Sequence, residues 1–157
     1  MTDHQLIELS AKSDLPLIVS TGMSTLEDVD SVVAFLEKVD KQNYVLLHTV
    51  SVYPAEHSLL NLRVIPMMQK RYPCIIGYSG HEDDLEPSIV AAAFGAQIIE
   101  RHITLDNSLW GTDQKASLPV LAMDMLGKRI ASIFDCLGNG EKTIIPQELE
   151  ARNKLRG

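Results

Sequence analysis

The sequence predicts an α/β fold in which helices cover a parallel β-sheet. Apolar runs of strand length alternate with longer segments whose apolar residues recur at helical spacing, and the connections are short. The apolar runs are nearly continuous, which is typical of parallel strands that are buried on both faces. Polar residues gather where these runs end, and that edge carries the functional site in parallel α/β folds.

The sequence pattern in the first half of the chain predicts two of the β-α units. A short helix over residues 4–13 precedes an apolar strand over residues 16–20, which ends in a Thr-Gly turn. Ser24 and Glu27 have the spacing of a capping box and predict the start of a helix, whose apolar stripe continues to position 39. The next buried strand is expected over residues 44–48.

The sequence pattern in the second half of the chain predicts the remaining β-α units. A helix over residues 62–72, with a proline in its first turns, leads to a strand over residues 74–78. A helix over residues 87–94 follows, because its first residue is a proline and a glycine comes directly after its last. The fourth strand is expected over residues 97–104, and after a polar loop a long helix covers residues 119–137.

Four β-α units can be arranged in two ways. They can form a small open sheet, or they can form half of a (β/α)₈ barrel, which as a whole needs about 250 residues. The repeat pattern alone does not distinguish these architectures.

Composition restricts the class of protein. The 157 residues include 45% hydrophobic and 22% charged side chains, which is ordinary for a globular domain, and the net charge of −7 disfavours nucleic acid or an anionic membrane as the partner. The sequence contains no apolar run of transmembrane length and no signal peptide pattern. Cys74 and Cys136 are expected to be reduced core thiols, so we expect a cytoplasmic protein.

Three side chains near two strand ends predict a metal-assisted or proton-transfer site. Glu100 and His102 alternate with Arg101 on one strand, so they share a face, whereas Arg101 is expected to contact the helix layer. His81 ends the preceding strand-like run. A lone strand histidine is more often structural, but two imidazoles beside a carboxylate favour part of an enzyme site.

Six stretches then identify a family resemblance. In order along the chain they are Ser20–Ser24, His48–Pro54, Asn61–Arg63, Gly77–His81, Glu100–Asp106 and Gly111–Leu118. With this order and spacing, residues 5–150 resemble the sialic acid synthase family, also called N-acetylneuraminate synthases, which condense phosphoenolpyruvate with an N-acetylated sugar.

The resemblance implies an architecture and a division of the chain. Residues 1–140 resemble strands five to eight of a catalytic (β/α)₈ barrel, and residues 141–157 resemble a charged tail leading toward an antifreeze-like domain. The family's first four strands and its antifreeze-like domain have no counterpart here. They would supply a lysine, a glutamate and an arginine to the complete site.

The resemblance also implies the metal ligands. His81 and His102 match the two histidines that bind a divalent cation, Mn²⁺ or Mg²⁺, although imidazole by itself suits other transition metals better. Glu100 matches a catalytic position, where it would orient a water at the metal or relay a proton; the alternative is an ion pair with a lysine or arginine inside the barrel.

Five further residues match substrate-binding positions. Ser20 and Ser79 resemble phosphoenolpyruvate contacts, and Ser51, Tyr53 and Asp113 resemble contacts to the sugar. Without the resemblance, the same residues would be interpreted as turn or loop structure.

The function expected from the resemblance is a phosphoenolpyruvate-dependent condensation with an N-acylated aldose that gives a sialic-acid-type nonulosonate. Because only part of the site is present, we expect little activity from this chain alone, and either a homo-oligomer or pairing with the missing N-terminal half. The alternative is a non-catalytic half-barrel or subunit that binds a metal or a sugar phosphate. The acceptor sugar is not identified by the sequence.

Overall fold

The chain forms a four-stranded parallel sheet, described by a computed structural model for residues 1 and 3–156. The strands lie in the order in which they occur in the sequence, so each pairs with its predecessor. They are β1 (Leu17–Ser20), β2 (Tyr44–Thr49), β3 (Ile75–Gly80) and β4 (Ile99–Arg101). The predicted alternation of parallel strands and helices is confirmed.

Helices connect the strands and continue past the last one. They are α1 (His4–Ala11), α2 (Leu26–Lys38), α3 (Val64–Arg71), α4 (Glu86–Ala93), α5 (Val120–Leu137) and α6 (Pro146–Arg156). The main core lies between the sheet and these helices, where Leu36 of α2, Leu46 of β2 and Ile65 of α3 are completely buried. Truncating any one of them to alanine removes about 2–5 kcal/mol of stability.

The two faces of the sheet differ in exposure. Val19 and Leu46 are in register on the helix-covered face and are buried. On the opposite face, Ile18 and Ile75 at the N-terminal half of the sheet are 51% and 43% exposed, and Ser20 at the end of β1 is exposed as well. Large apolar side chains are therefore left in contact with solvent on the face that does not pack on the helices.

The predicted fourth strand is interrupted at His102. β4 ends at Arg101, and residues Ile103–Thr104 form a separate strand, β5, that pairs in parallel with β6 (Leu118–Pro119). The backbone carbonyl of His102 accepts a hydrogen bond of 2.8 Å from the amide of Leu118. The prediction of one strand over 97–104 was wrong because a non-local partner, 16 residues away, takes over the pairing.

The capping box of α2 lies one residue later than the sequence pattern predicted. Thr25, not Ser24, is the N-cap: its hydroxyl accepts from the Asp28 amide, and the Asp28 carboxylate accepts from the Thr25 amide. The hydrogen bonds that the Asp28 carboxylate accepts from the Thr25 amide and hydroxyl lower the pKa of Asp28. The Ser24 hydroxyl instead donates to the carbonyl of Gly22.

Two other features differ from expectation. Cys74 is half-buried, but Cys136 on α5 is exposed, so its assignment to the core was wrong. α6 is a helix, exposed along its length, within the segment that had been expected to be a charged tail. Among the described residues, no helix combines the length and apolarity needed to span a membrane.

Gly77 marks the closest approach of β3 to its neighbours. A Cβ atom at this position would lie 2.5 Å from the Leu47 side chain and 2.6 Å from the backbone carbonyl oxygen of Ile98. The Ile98 carbonyl cannot move away freely, because it accepts a hydrogen bond of 2.8 Å from the Tyr78 amide.

We therefore expect Gly77→Ala to lower the free energy of unfolding by about 1–3 kcal/mol, because the added methyl group overpacks the sheet. Urea denaturation followed by circular dichroism measures the change. Gly127→Ala is the matched control, since its Cβ meets no atom within 4 Å, and we expect it to raise stability by about 0.5–1 kcal/mol. Equal effects of both substitutions would contradict this account.

Candidate active site

The two predicted metal ligands lie side by side at the C-terminal edge of the sheet. Gly80 of β3 is in register with Arg101 of β4, so the residues that follow them, His81 and His102, leave the sheet at the same level. Their ring centroids are 5.3 Å apart and the rings are nearly perpendicular, at 80°. The separation is short enough for one ion to be bonded to both rings.

The surroundings of His81 determine which of its nitrogens is free. Its Nδ1 atom lies 2.8 Å from the backbone carbonyl oxygen of Val50 and 3.5 Å from the hydroxyl of Thr49. Because a carbonyl oxygen can only accept a hydrogen bond, Nδ1 carries the proton when the ring is neutral. The Nε2 lone pair is then available, and this is the arrangement in which proteins usually present a histidine to a metal.

Two predicted sugar contacts, Tyr53 and Asp113, adjoin the imidazoles. The Tyr53 ring is centred 4.1 Å from that of His81 and 5.8 Å from that of His102. Asp113 places a carboxylate oxygen 3.7 Å from Nδ1 of His102, which is too long for a hydrogen bond but close enough for electrostatic attraction. The structure thus brings together four of the predicted site residues, which come from three different connections.

The predicted pair Ser79 and Glu100 lies on the same face of the sheet, immediately before the histidines. These residues are in register on β3 and β4, and the buried Ser79 hydroxyl donates a hydrogen bond of 2.7 Å to the Glu100 carboxylate. The sharing of a face by Glu100 and His102 stays a prediction, because β4 ends at Arg101. In the described part of the chain Glu100 forms no ion pair with a lysine or arginine, although its carboxylate is exposed.

The remaining predicted residues, Ser20 and Ser51, lie on the β1–β2 side. Ser20 is level with Leu47 in the sheet register, whereas Ser79 is level with Thr49, so Ser20 lies one layer further from the C-terminal edge. The Ser51 hydroxyl packs against Gly22, where a Cβ would collide with it. Among the described residues, neither serine forms a hydrogen bond to His81 or His102, and the substrate contacts assigned to both serines stay predictions.

A cleft of about 620 Å³ lies beside the histidines instead of over them. Ser51 is part of its lining, together with Thr21, Met23, Ser24, Thr25, Leu26, Val29, His48, Thr49, Val50, Val52, Val64, Met67 and Met68. Most of the lining is apolar, and it includes neither His102 nor His81, which is buried. His48 belongs to the helix-covered face, where its Nε2 lies 2.8 Å from the carbonyl oxygen of Leu60 and burial lowers its pKa.

A buried ion pair directly behind the histidines was not predicted. The carboxylate of Glu82 lies 3.0 Å from a guanidinium nitrogen of Arg101, and both side chains are completely buried. Arg101 also contacts Ser88 of α4, as expected for a side chain that points toward the helix layer. Burial lowers the pKa of Arg101, and burial together with the negative charge of Glu82 raises the pKa of Tyr78. No local sequence signal marks Glu82, because its partner is 19 residues away.

The side chains of His81, His102 and Asp113 fit a divalent cation, but they are too few to fill its coordination sphere. Two neutral imidazoles suit a transition metal, and the nearby Asp113 carboxylate adds an oxygen donor of the kind that Mn²⁺ and Mg²⁺ prefer. Within residues 1 and 3–156, no group of three histidine, cysteine, aspartate or glutamate side chains is arranged to hold an ion. The other positions would therefore be filled by water, substrate oxygens or groups from outside these residues.

Comparison with known proteins identifies similar sequences over nearly the whole chain. The model of the NeuB family matches residues 1–142. The chain is 36% identical to the N-acetylneuraminate-9-phosphate synthase of Drosophila melanogaster, with 96% of this chain and 47% of that protein aligned. It is 33% identical to the N,N'-diacetyllegionaminic acid synthase of Campylobacter jejuni, with 99% of this chain and 47% of that protein aligned.

Solved structures extend the similarity to the fold. The crystal structure of an N-acetylneuraminic acid synthetase from Leptospira borgpetersenii, in complex with citrate, superposes with a TM-score of 0.85 at 34% identity, covering 97% of this chain and 54% of that one. This confirms the predicted fold class, four β-α units that resemble the second half of a (β/α)₈ barrel. The chain spans about half the length of the relatives it matches.

The geometry around His81 makes a prediction about its tautomer. We expect the neutral ring to carry its proton on Nδ1, because Val50 offers that nitrogen only a carbonyl acceptor. Long-range proton–nitrogen correlation spectra of ¹⁵N-histidine-labelled protein distinguish the two tautomers. Exposed His4 is the internal reference, and a proton on Nε2 of His81 would contradict the prediction.

Proposed function

The chain belongs to the NeuB family, and we propose that it takes part in condensing phosphoenolpyruvate with an N-acylated aldose to make a sialic-acid-type nonulosonate. The observation that carries the proposal is the pair of imidazoles with centroids 5.3 Å apart, flanked by Tyr53 and Asp113 at the C-terminal edge of a parallel sheet. In parallel α/β folds, that edge is where catalytic groups are assembled.

The reaction joins the methylene carbon of phosphoenolpyruvate to the aldehyde carbon of the sugar. As that bond forms, the aldehyde oxygen takes up a proton and the phosphate-bearing carbon becomes cation-like. Water adds to this carbon and loses a proton, the bond from the carbon to the phosphate oxygen breaks, and inorganic phosphate leaves. A divalent cation, Mn²⁺ or Mg²⁺, held by His81 and His102 would supply polarisation of the aldehyde oxygen.

The protein side chains would bind and orient the two substrates. Tyr53 and Asp113 lie beside the imidazoles, where a phenol and a carboxylate can hydrogen-bond sugar hydroxyls. Glu100 would act as the catalytic carboxylate: it accepts a hydrogen bond from the Ser79 hydroxyl, and its side chain is exposed.

The proposed contact between Ser79 and phosphoenolpyruvate requires the Ser79 hydroxyl to change its hydrogen-bond partner. A serine hydroxyl has one proton to donate, and Ser79 donates it to Glu100. To donate to the anionic substrate as well, the hydroxyl has to rotate away from the carboxylate. Ser20 is free of this competition, because it is exposed on the same face, and Ser51 would contact the sugar from the neighbouring strand end.

The identity of the acceptor sugar stays open. Relatives of similar identity, 36% and 33%, are named for two different products, N-acetylneuraminate 9-phosphate and diacetyllegionaminic acid. We therefore propose the N-acylated aldose class without choosing a member.

We further propose that the site is completed by a second half-barrel. The sheet face that carries Ser20 and Glu100 is buried at its centre, at Leu47, but Ile18 and Ile75 on the same face are exposed and need an apolar cover. The rest of the polypeptide, a separate chain or a second copy can supply this cover. The family resemblance would place the remaining catalytic lysine, glutamate and arginine there. The cytoplasmic location expected from the sequence stays a prediction.

A second candidate function is binding without catalysis. It is favoured by one observation, namely that the described residues provide two imidazoles but no third grouped metal ligand. A subunit of this kind would bind a cation or a sugar phosphate and perform no chemistry even when the other half-barrel is present.

Metal titration tests the ligand assignment. We expect Mn²⁺, followed by isothermal calorimetry or by electron paramagnetic resonance, to bind wild type, and His81→Ala or His102→Ala to weaken binding at least about tenfold, because each removes a direct ligand. His4→Ala is the control, since its ring is exposed on α1. Unchanged affinity in both site variants would rule out the assignment.

Complementation tests catalysis. We expect phosphate release from phosphoenolpyruvate and N-acetylmannosamine to be at least about 100-fold slower for the 157-residue chain alone than for the chain mixed with the N-terminal half of the Leptospira relative, because half of the positioning groups are missing. His102→Ala in the same mixture should return the rate to background. A rate typical of an intact synthase from the chain alone would contradict the incomplete site, and Mn²⁺ binding without turnover in the mixture would favour the binding-only function.

A further inference from the structure

The sequence neighbours of the two histidines form a buried ion pair with each other. Glu82 follows His81 directly, and Arg101 directly precedes His102. The Arg101 guanidinium donates to the Glu82 carboxylate at 3.0 Å, and both side chains are completely buried. This ion pair lies on the helix-covered face, because Glu82 accepts from Tyr78, a member of the main core, and Arg101 contacts Ser88 of α4.

Arg101 also holds the backbone of the connection that follows His81. Its guanidinium donates to the carbonyl oxygen of Glu82 and, at 2.8 Å, to the carbonyl oxygen of Asp84. A planar guanidinium presents its donors in a fixed geometry, so contacts to one carboxylate and two carbonyls determine where this connection lies relative to β4.

The Glu82 carboxylate is fixed from two other directions. Tyr78 of β3 donates to it at 2.9 Å and Ser88 of α4 donates at 3.1 Å. The carboxylate folds back under Gly80, where a Cβ atom would lie 2.6 Å from one of its oxygens. We call Tyr78, Glu82, Ser88 and Arg101 the Glu82 clamp.

We propose that the Glu82 clamp sets the spacing of the His81 and His102 imidazoles, and so tunes their affinity for a cation. The part concerning affinity rests on the metal role given to these histidines above. The four residues are positioning residues, since each acts through the backbone that carries a histidine.

The placement of the clamp argues for a geometric role beyond general stability. A buried ion pair stabilises a fold no better than well-packed apolar residues do, whereas its directional hydrogen bonds restrict the position of the backbone. Another arginine–carboxylate pair, Arg71 with Asp30, is partly exposed and joins α3 to α2 away from the histidines. It therefore offers a matched ion pair with no connection to the site.

The test combines ring contacts with metal affinity in the full chain. Nuclear Overhauser effects between the ring protons of His81, His102 and Tyr53 report the spacing without any metal, and Mn²⁺ titration reports affinity. The variants are Glu82→Gln, which removes the charge but keeps the shape, and Tyr78→Phe, which removes one hydrogen bond to the carboxylate. Asp30→Asn is the control, and circular dichroism establishes that each variant is folded.

We expect Glu82→Gln to weaken the His81–His102 ring contact and to lower Mn²⁺ affinity about tenfold or more, as loss of a group that supports a metal ligand does. Tyr78→Phe should give the same changes to a smaller degree, with at least a twofold loss of affinity, and Asp30→Asn should give neither. Folded Glu82→Gln and Tyr78→Phe proteins with wild-type ring contacts and affinity would overturn the proposal. If Glu82→Gln does not fold, the ring contacts and Mn²⁺ affinity of Tyr78→Phe alone test the proposal.

The outcome also separates this inference from the proposed function. If wild type does not bind Mn²⁺, or if His102→Ala binds it unchanged, the metal role fails, while the ring contacts still decide whether the clamp sets the spacing. If the metal role holds and the clamp variants behave as wild type, the inference alone fails.

Discussion

The buried ion pair between Glu82 and Arg101 is the interaction on which the candidate site depends. Removing one partner of such a pair leaves an uncompensated buried charge and costs about 3–5 kcal/mol, so the arrangement resists local distortion. Its members are the sequence neighbours of His81 and His102, and Arg101 also holds the carbonyls of Glu82 and Asp84. The helix-covered face of the sheet thus determines the geometry of the two imidazoles that follow its strands.

The second constraint on the site is the sheet face that does not pack on the helices, because this face carries residues that are proposed to contact substrate. In a closed barrel this face lines the interior, whereas here Ile18 and Ile75 are about half exposed, and Glu100 is open to solvent beside the buried Ser79. The chain matches about half the length of its NeuB relatives, and it carries His81, His102, Tyr53 and Asp113 at the C-terminal edge of its sheet. The face proposed to bind substrate is therefore also the face on which exposed apolar side chains lie.

Regular features of the fold were predictable because they depend on local periodicity. Near-continuous apolar runs located all four strands of the main sheet, and the stripe that includes Val29 and Val33 located α2. The predictions that failed depend on partners distant in sequence or on competing local hydrogen bonds. Beyond the end of β4 at Arg101, the His102 carbonyl accepts from the Leu118 amide, and Thr25 caps α2 because it forms reciprocal hydrogen bonds with Asp28.

The sequence by itself determined that the fold is α/β with parallel strands and that His81 and His102 each follow an apolar strand, because the runs of apolar residues are a local property. Only the tertiary structure decided that these strands are neighbours in a register that brings the imidazoles to 5.3 Å. It also decided that Val50 directs the proton of His81, and that Glu82 finds Arg101 across 19 residues of chain. Contacts of this kind join separate connections, and their partners are specified by packing in three dimensions instead of by spacing along the chain.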